Sequence, residues 1–184
     1  MKDLNELVAQ LKVEISKNTP DESFPIVMKE IEAFYTENFF LNAYEVAILL
    51  TNQEKTILSF AYPEYLLNAG MIPVSSTEAV IATIFRTGRG TIDNKFQQTR
   101  HLKIFEAIRT PEGKILPLVK MMGALIAVEE EKIGVIEISR RSATEDDAGD
   151  DFTPPELEFL TKTITILAPI IKKIMPENFR GKIT

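Results

Sequence analysis

Leu4, Val8, Leu11 and Ile15 step by four, three and four along residues 3–17. That spacing predicts a helix with a seam-like apolar stripe, which Leu7 widens. A second helix start follows at once in Thr19-Pro20-Asp21-Glu22. Threonine suits the N-cap, proline the first helical position and glutamate the third. The helix is predicted to run to about Phe39, with Ile26, Val27, Ile31, Phe34 and Tyr35 on its buried side.

The pattern then changes to strand formers. Tyr44–Thr51 and Thr56–Tyr62 flank the polar turn Asn52-Gln53-Glu54-Lys55, which predicts a hairpin stopped by Pro63. Residues 64–70 read as a loop or a short helical turn. Gly70–Asn94 reads as an extended lead-in, a capped amphipathic helix, a glycine stop at Gly88 and Gly90, and a short strand ending in Asp93 and Asn94. Ser75 and Glu78 have the spacing of a capping box, and Ala79, Val80, Ala82, Ile84 and Phe85 supply the apolar face.

Phe96, Leu102, Ile104, Phe105 and Ile108 predict a helical segment over 95–110, ended by the turn Pro111-Glu112-Gly113-Lys114. Ile115–Val119 and Gly123–Val128 read as two strands, and Ile133–Ser139 returns after the polar tip 129–132. Gly134 is expected at a bulge or under a crossing chain. After the acidic break of 142–152, Thr153-Pro154-Pro155-Glu156 repeats the earlier helix start. The last helix is predicted to reach about Met175. Leu157, Leu160, Ile164, Leu167, Ile171 and Ile174 form one stripe of it, and Phe159, Ile166 and Ile170 lie on a neighbouring face. The economical packing of these elements is α+β, one antiparallel sheet sandwiched by helices.

At 184 residues and 45% apolar content the chain is expected to form one domain with a substantial core. A net charge of −6 argues against nucleic acid, and the basic pairs Arg86/Arg89 and Arg140/Arg141 form no stripe. No apolar run approaches the ~20 residues of a membrane span. The N-terminus has no secretion-signal pattern, so a cytoplasmic protein is expected. The chain has no cysteine, which excludes disulfides, thiolate metal sites and cysteine nucleophiles.

Four features are candidate chemistry. Asp93 and Asn94, at the end of a strand, can read a ligand hydroxyl or amine, or simply satisfy a turn. His101, the sole histidine, can donate to a ligand or sit half-buried at the surface, and alone it makes no zinc site. Ser75, Ser76 and Thr77 precede a helix whose free N–H groups suit an anion, although Glu78 favours capping alone. Glu145, Asp146, Asp147, Asp150 and Asp151 offer oxygens to a hard cation but lack a calcium-loop spacing, and a solvated loop accounts for them. No nucleophile has an activating neighbour and no G-x-S-x-G occurs, so an enzyme is not expected.

Three phrases carry a resemblance. GMIPVSSTEAVIATIFRTGRGTIDN, MMGALIAVEEEKIGVIEISRR and DFTPPELEFL resemble, in order and spacing, successive stretches of a GAF domain. The resemblance runs from about Thr19 to Ile174 and implies a GAF/PAS-like fold. It divides the chain into an N-terminal helix at 1–18, a GAF-like domain at 19–175 and a tail at 176–184. It implies a pocket on one face of the sheet, roofed by 75–87 and the loop 93–106, with Phe60, Tyr62, Ser75, Thr77, Asp93, Asn94, His101 and Phe105 as ligand contacts. Members that attach bilins, reduce methionine sulfoxide or hold a non-haem iron rely on cysteines, which are absent here. The contiguous Asn94-Lys95-Phe96 is not the dispersed signature of cyclic-nucleotide binders. The implied function is a stand-alone small-molecule-binding regulatory module that acts on a partner in trans, with ligand and cofactor open. A dimeric interaction module with an empty pocket is the alternative. A cavity lined by Asp93, Asn94, His101 and Tyr62 favours the first, and filling by Phe96, Phe105, Met121 and Met122 the second. A homodimer is expected through Leu4, Val8, Leu11 and Ile15 of the first helix and Leu160, Ile164, Leu167 and Ile171 of the last, paired as a four-helix bundle.

Overall fold

Asp3 caps the first helix, α1 (Leu4–Lys17), by accepting from the N–H groups of Asn5 (2.8 Å) and Glu6 (3.1 Å). Thr19 and Glu22 close a capping box on the second, α2 (Pro20–Phe39), and Thr153 with Glu156 closes another on the last, α4 (Pro154–Ile174). These contacts are local, so the starts fall where the sequence places them. The computed structural model describes residues 3–68, 70–98, 113 and 116–181.

Between α2 and α4 lie strands β1 (Val46–Thr51), β2 (Ile57–Tyr62) and β3 (Met71–Pro73), helix α3 (Val80–Thr87), then β4 (Thr91–Asp93), β5 (Leu118–Val128) and β6 (Glu131–Arg141). They form one six-stranded sheet in the order β3-β2-β1-β6-β5-β4, with every neighbouring pair antiparallel. One face is covered by α1, α2 and α4, whose Leu11, Ile31 and Ile164 meet Ile48, Ala124 and Ile136 in a single core. The other face packs Ile81, Ile84 and Phe85 of α3 on Leu49, Leu58, Met121 and Val135. Because both faces are covered, all six residues of β1 are buried and its sequence shows no alternation.

Several expectations need correction. Two strands were expected within 115–128, and the structure has one continuous strand from Leu118 to Val128. Gly123 does not break it: a Cβ there would lie 2.7 Å from the Ile84 Cδ1, so glycine makes room for α3. The α3 helix begins at Val80 rather than at a Ser75 cap. The Arg86 guanidinium donates to the carbonyls of Val74 and Ser76, holding that stretch as a turn, and the Ser76 Oγ accepts from the Ala79 N–H at 3.2 Å. Ile26, expected on the buried side of α2, is 43% exposed. Gly134 sits beside a register shift between Ile126 and Ala127 of β5, and a Cβ there would stand 2.2 Å from the Leu49 carbonyl oxygen of the paired strand β1. Of the helical segment expected over 95–110, only a short 3-10 turn at Phe96–Gln98 falls within the described residues.

Candidate functional site

Strand register writes the chemistry of the α3-facing side as rows across the sheet. The first is apolar: Leu125 pairs with Val135, Val135 with Leu49, and Leu49 with Phe60. In the next, Thr91 pairs with Gly123, Gly123 with Glu137, and Glu137 with Ala47. In the third, Asp93 pairs with Met121 and Met121 with Ser139. Side chains alternate along a strand, and Gly123 and Val135 face α3, so Glu137 faces it too. The middle row therefore sets one carboxylate between two of the smallest residues, on the sheet face that also carries Leu49, Leu58, Met121 and Val135.

Burial dominates the electrostatics of Glu137. The side chain is half-buried, and desolvation pushes its carboxyl above the ordinary value, with Arg141 pulling the other way. The neighbouring polar groups on this side are tied to each other. The Ser139 Oγ donates to the Glu45 carbonyl at 3.2 Å, the buried Glu45 carboxylate accepts from the Arg141 N–H at 2.8 Å, and the Arg141 Nη1 donates to the Leu116 carbonyl at 3.3 Å.

The residues named from sequence separate into distinct places. Phe60 is buried in the α3-side core. Asp93 is half-buried, and its Oδ1 accepts from the Lys95 N–H at 2.9 Å, the turn geometry typical of aspartate. Asn94 does not face a ligand space: its Nδ2 donates to the Phe152 carbonyl and its Oδ1 accepts from the Phe152 N–H, each at 2.9 Å. Ser75 and Thr77 are exposed in the turn before α3. Tyr62 belongs to the other layer, where its hydroxyl donates to the Glu32 Oε2 on α2 at 3.4 Å. Burial and this carboxylate together raise the Tyr62 phenol to about 12. His101 and Phe105 lie outside the described residues. Phe96 and Met121 are packed into the α3-side core, and Met122 into the opposite one.

Leu11, Leu160, Ile164, Leu167 and Ile171 have no exposed surface in the single chain, because α1 and α4 pack against α2 and the sheet. Leu4, Val8 and Ile15 are half-buried against the same core. Leu11, Leu160, Ile164, Leu167 and Ile171 are thus the chain's own core rather than a seam, while Leu4, Val8 and Ile15 keep part of their surface outside it. The apolar side chains that α1 and α4 leave outside are Val13 and Ile166, 50% and 51% exposed.

The acidic loop is anchored. The Lys120 Nζ, itself buried, donates to the Gly149 carbonyl at 2.7 Å and pairs with Asp151 at 2.7 Å, while Thr144 bonds Asp147 at 2.6 Å. Among the described residues no group of histidine, aspartate and glutamate is placed to hold a metal ion. Nor is any described helix long and apolar enough to cross a membrane.

Glu137 is the residue that sequence reasoning missed. Its signal was an acidic position inside the apolar run Ile133–Ile138, meaningful only once the register showed which face it takes.

No family model and no curated protein matches the sequence. The structure is similar to the GAF domain of an Acinetobacter phosphoenolpyruvate-protein phosphotransferase, with a TM-score of 0.60 at 11% identity over 94% of this chain and 95% of that one. It is similar to part of a methyl-accepting chemotaxis protein, with a TM-score of 0.60 at 18% identity over 89% and 96%. It is also similar to the free methionine-R-sulfoxide reductase of Neisseria meningitidis solved with its substrate, with a TM-score of 0.60 at 12% identity over 95% and 93%. The six-stranded antiparallel sheet, with three helices on one face and α3 on the other, has the α+β fold of a GAF domain.

Proposed function

We propose that this chain is a sensory or regulatory module that binds a small molecule on the α3-facing side of its sheet and acts on a partner in trans. The supporting observation is the row Thr91–Gly123–Glu137–Ala47: a half-buried carboxylate whose cross-strand neighbours are an alanine and a glycine, with the Ile84 side chain of α3 packed over the glycine. Such a group gains most from a partner that donates hydrogen bonds or carries positive charge. The ligand class is therefore an amine, guanidine, amide or protonated heterocycle. Similarity to a chemotaxis-protein fragment and to a phosphotransferase GAF domain supports the regulatory part of the reading. The reductase similarity does not extend to its chemistry by a thiol route, since the chain has no cysteine.

Native mass spectrometry of protein purified from cells is the test. The expected result is an added mass that is released on unfolding and is absent from Glu137→Gln. An added mass retained by Glu137→Gln would remove the carboxylate from ligand binding. An unloaded wild type that none of these donor classes stabilises would instead favour the interaction-module reading. The burial of Phe96 and Met121 in the α3-side core supports that alternative.

A further inference from the structure

On the opposite side of the sheet a cleft of about 660 Å³ opens between the C-terminal end of α2 and the loop that leads into α4. Its volume falls within the range of small-molecule sites. Phe39 and Phe159 meet edge to face at 5.7 Å and form one wall. Phe40 stands at the mouth, 90% exposed, in the left-handed conformation at φ 55°. A bulky side chain is disfavoured in that region of backbone space, and at this exposure its ring gains almost no burial in return.

Two opposite charges line the same cleft without a hydrogen bond or ion pair to any described residue. The Arg140 guanidinium lies 4.8 Å over the Phe152 ring, yet makes no hydrogen bond or ion pair with any described residue. Asp150 likewise makes none. The other carboxylates here are engaged: Asp151 by Lys120 at 2.7 Å, and Glu156 by the Thr153 N–H at 2.7 Å. Arg140 and Asp150 share one cavity but do not reach each other, so the complementary occupant spans them. A lone anion would meet Asp150, Asp151 and Glu156. A lone cation would meet Arg140. A zwitterion meets neither objection.

We propose that this cleft is a second binding site, for a free α-amino acid with an aromatic or aliphatic side chain. The ligand carboxylate pairs with the Arg140 guanidinium, its ammonium group with the Asp150 carboxylate, and its side chain lies against Phe40 and Phe159. This assignment is independent of the Glu137 face.

The test is titration of the isotope-labelled protein with L-phenylalanine and L-leucine, followed by amide shifts. Phenethylamine and 3-phenylpropionate, which each lack one ligand charge, serve as controls. The amino acids are expected to bind saturably and to shift Phe40, Gly149 and Phe159. Removing either ligand charge, or substituting Asp150→Asn, is expected to weaken binding about tenfold or more, the loss of one charge-assisted contact. Phe40→Ser, also an exposed position that leaves folding intact, is expected to weaken it too. Glu137→Gln should bind as the wild type does. The assignment is overturned if neither amino acid saturates at millimolar concentration. It is equally overturned if Phe40→Ser and Asp150→Asn bind undiminished, or if Glu137→Gln alone abolishes binding.

Discussion

Asn94 grips both backbone polar groups of Phe152, donating to its carbonyl and accepting from its N–H at 2.9 Å each. One side chain thus imitates a rung of sheet ladder across 58 residues of sequence, joining the end of β4 to the lead-in of α4. The same Phe152 carries on its ring the guanidinium of Arg140, a residue that lines the second cleft. Asn94→Ala leaves two part-buried backbone groups without partners. The expected loss is about 2 kcal/mol, read as a lowered urea midpoint with an unchanged slope. An unaltered midpoint would mean that water replaces the amide without cost.

The helical layer has its own polar tie. The Tyr35 hydroxyl and the Thr163 Oγ1 lie 3.0 Å apart, joining α2 to α4 in a fully buried setting. The Thr163 Oγ1 also bonds the Phe159 carbonyl at 2.8 Å. Removing the two partners is therefore unequal. Tyr35→Phe leaves the threonine satisfied and should cost about 1 kcal/mol, whereas Thr163→Val orphans a buried phenol and should cost about 2 kcal/mol. The double variant is expected to be less unstable than the sum, because nothing is then left unpaired. Additive losses in denaturant titrations would contradict a direct bond.

What sequence revealed and what it hid divide along physical lines. Helix starts at Thr19 and Thr153 were legible because capping boxes are made by residues three apart. The start of α3 was not, because a distant guanidinium, Arg86, holds the Val74–Ser76 turn that the serines alone do not. The stripes of α1 and α4 were read correctly as buried faces. Periodicity tells that a face is covered but not by what, so a second copy was assigned the role that α2 and the sheet play. Glu137 was hidden because its meaning depends on register with Gly123 and Ala47, which lie far off in sequence. Asn94, next to Asp93, was placed with the ligand, but strand alternation and a partner 58 residues away direct it elsewhere.

Gly134 is a steric requirement rather than a turn signal. A Cβ at that position would lie 2.2 Å from the Leu49 carbonyl oxygen and 2.8 Å from the Leu50 Cδ2. The nearer atom is backbone in the neighbouring strand, so a rotamer change cannot relieve the contact. Gly134→Ala is expected to cost about 3 kcal/mol by forcing β1 and β6 apart. Gly123→Ala should be milder, since the nearest atom there is the flexible end of Ile84. Thermal unfolding of the two variants side by side checks the order, and equal losses would contradict it.

Glu137 gives the α3-facing side a pH signature. In the unfolded chain its carboxyl titrates near the ordinary value of 4.5, and in the fold burial raises it. Between those two values the native state holds a proton that the unfolded chain has lost. The native advantage is therefore complete below the unfolded value and is lost as pH rises through the folded one. Glu137→Gln stays neutral throughout. The variant should gain on the wild type as pH climbs from acid to neutral, and the two should converge again in acid. Urea denaturation of both proteins over that pH range measures the gap directly. A gap independent of pH would mean that the carboxylate ionises without penalty in the fold, and the reason for placing a donor ligand beside it would go with it. A bound amine would supply the missing partner, lower the carboxyl pKa and flatten the wild-type pH dependence, so the same titration repeated with the ligand present reports occupancy of the face.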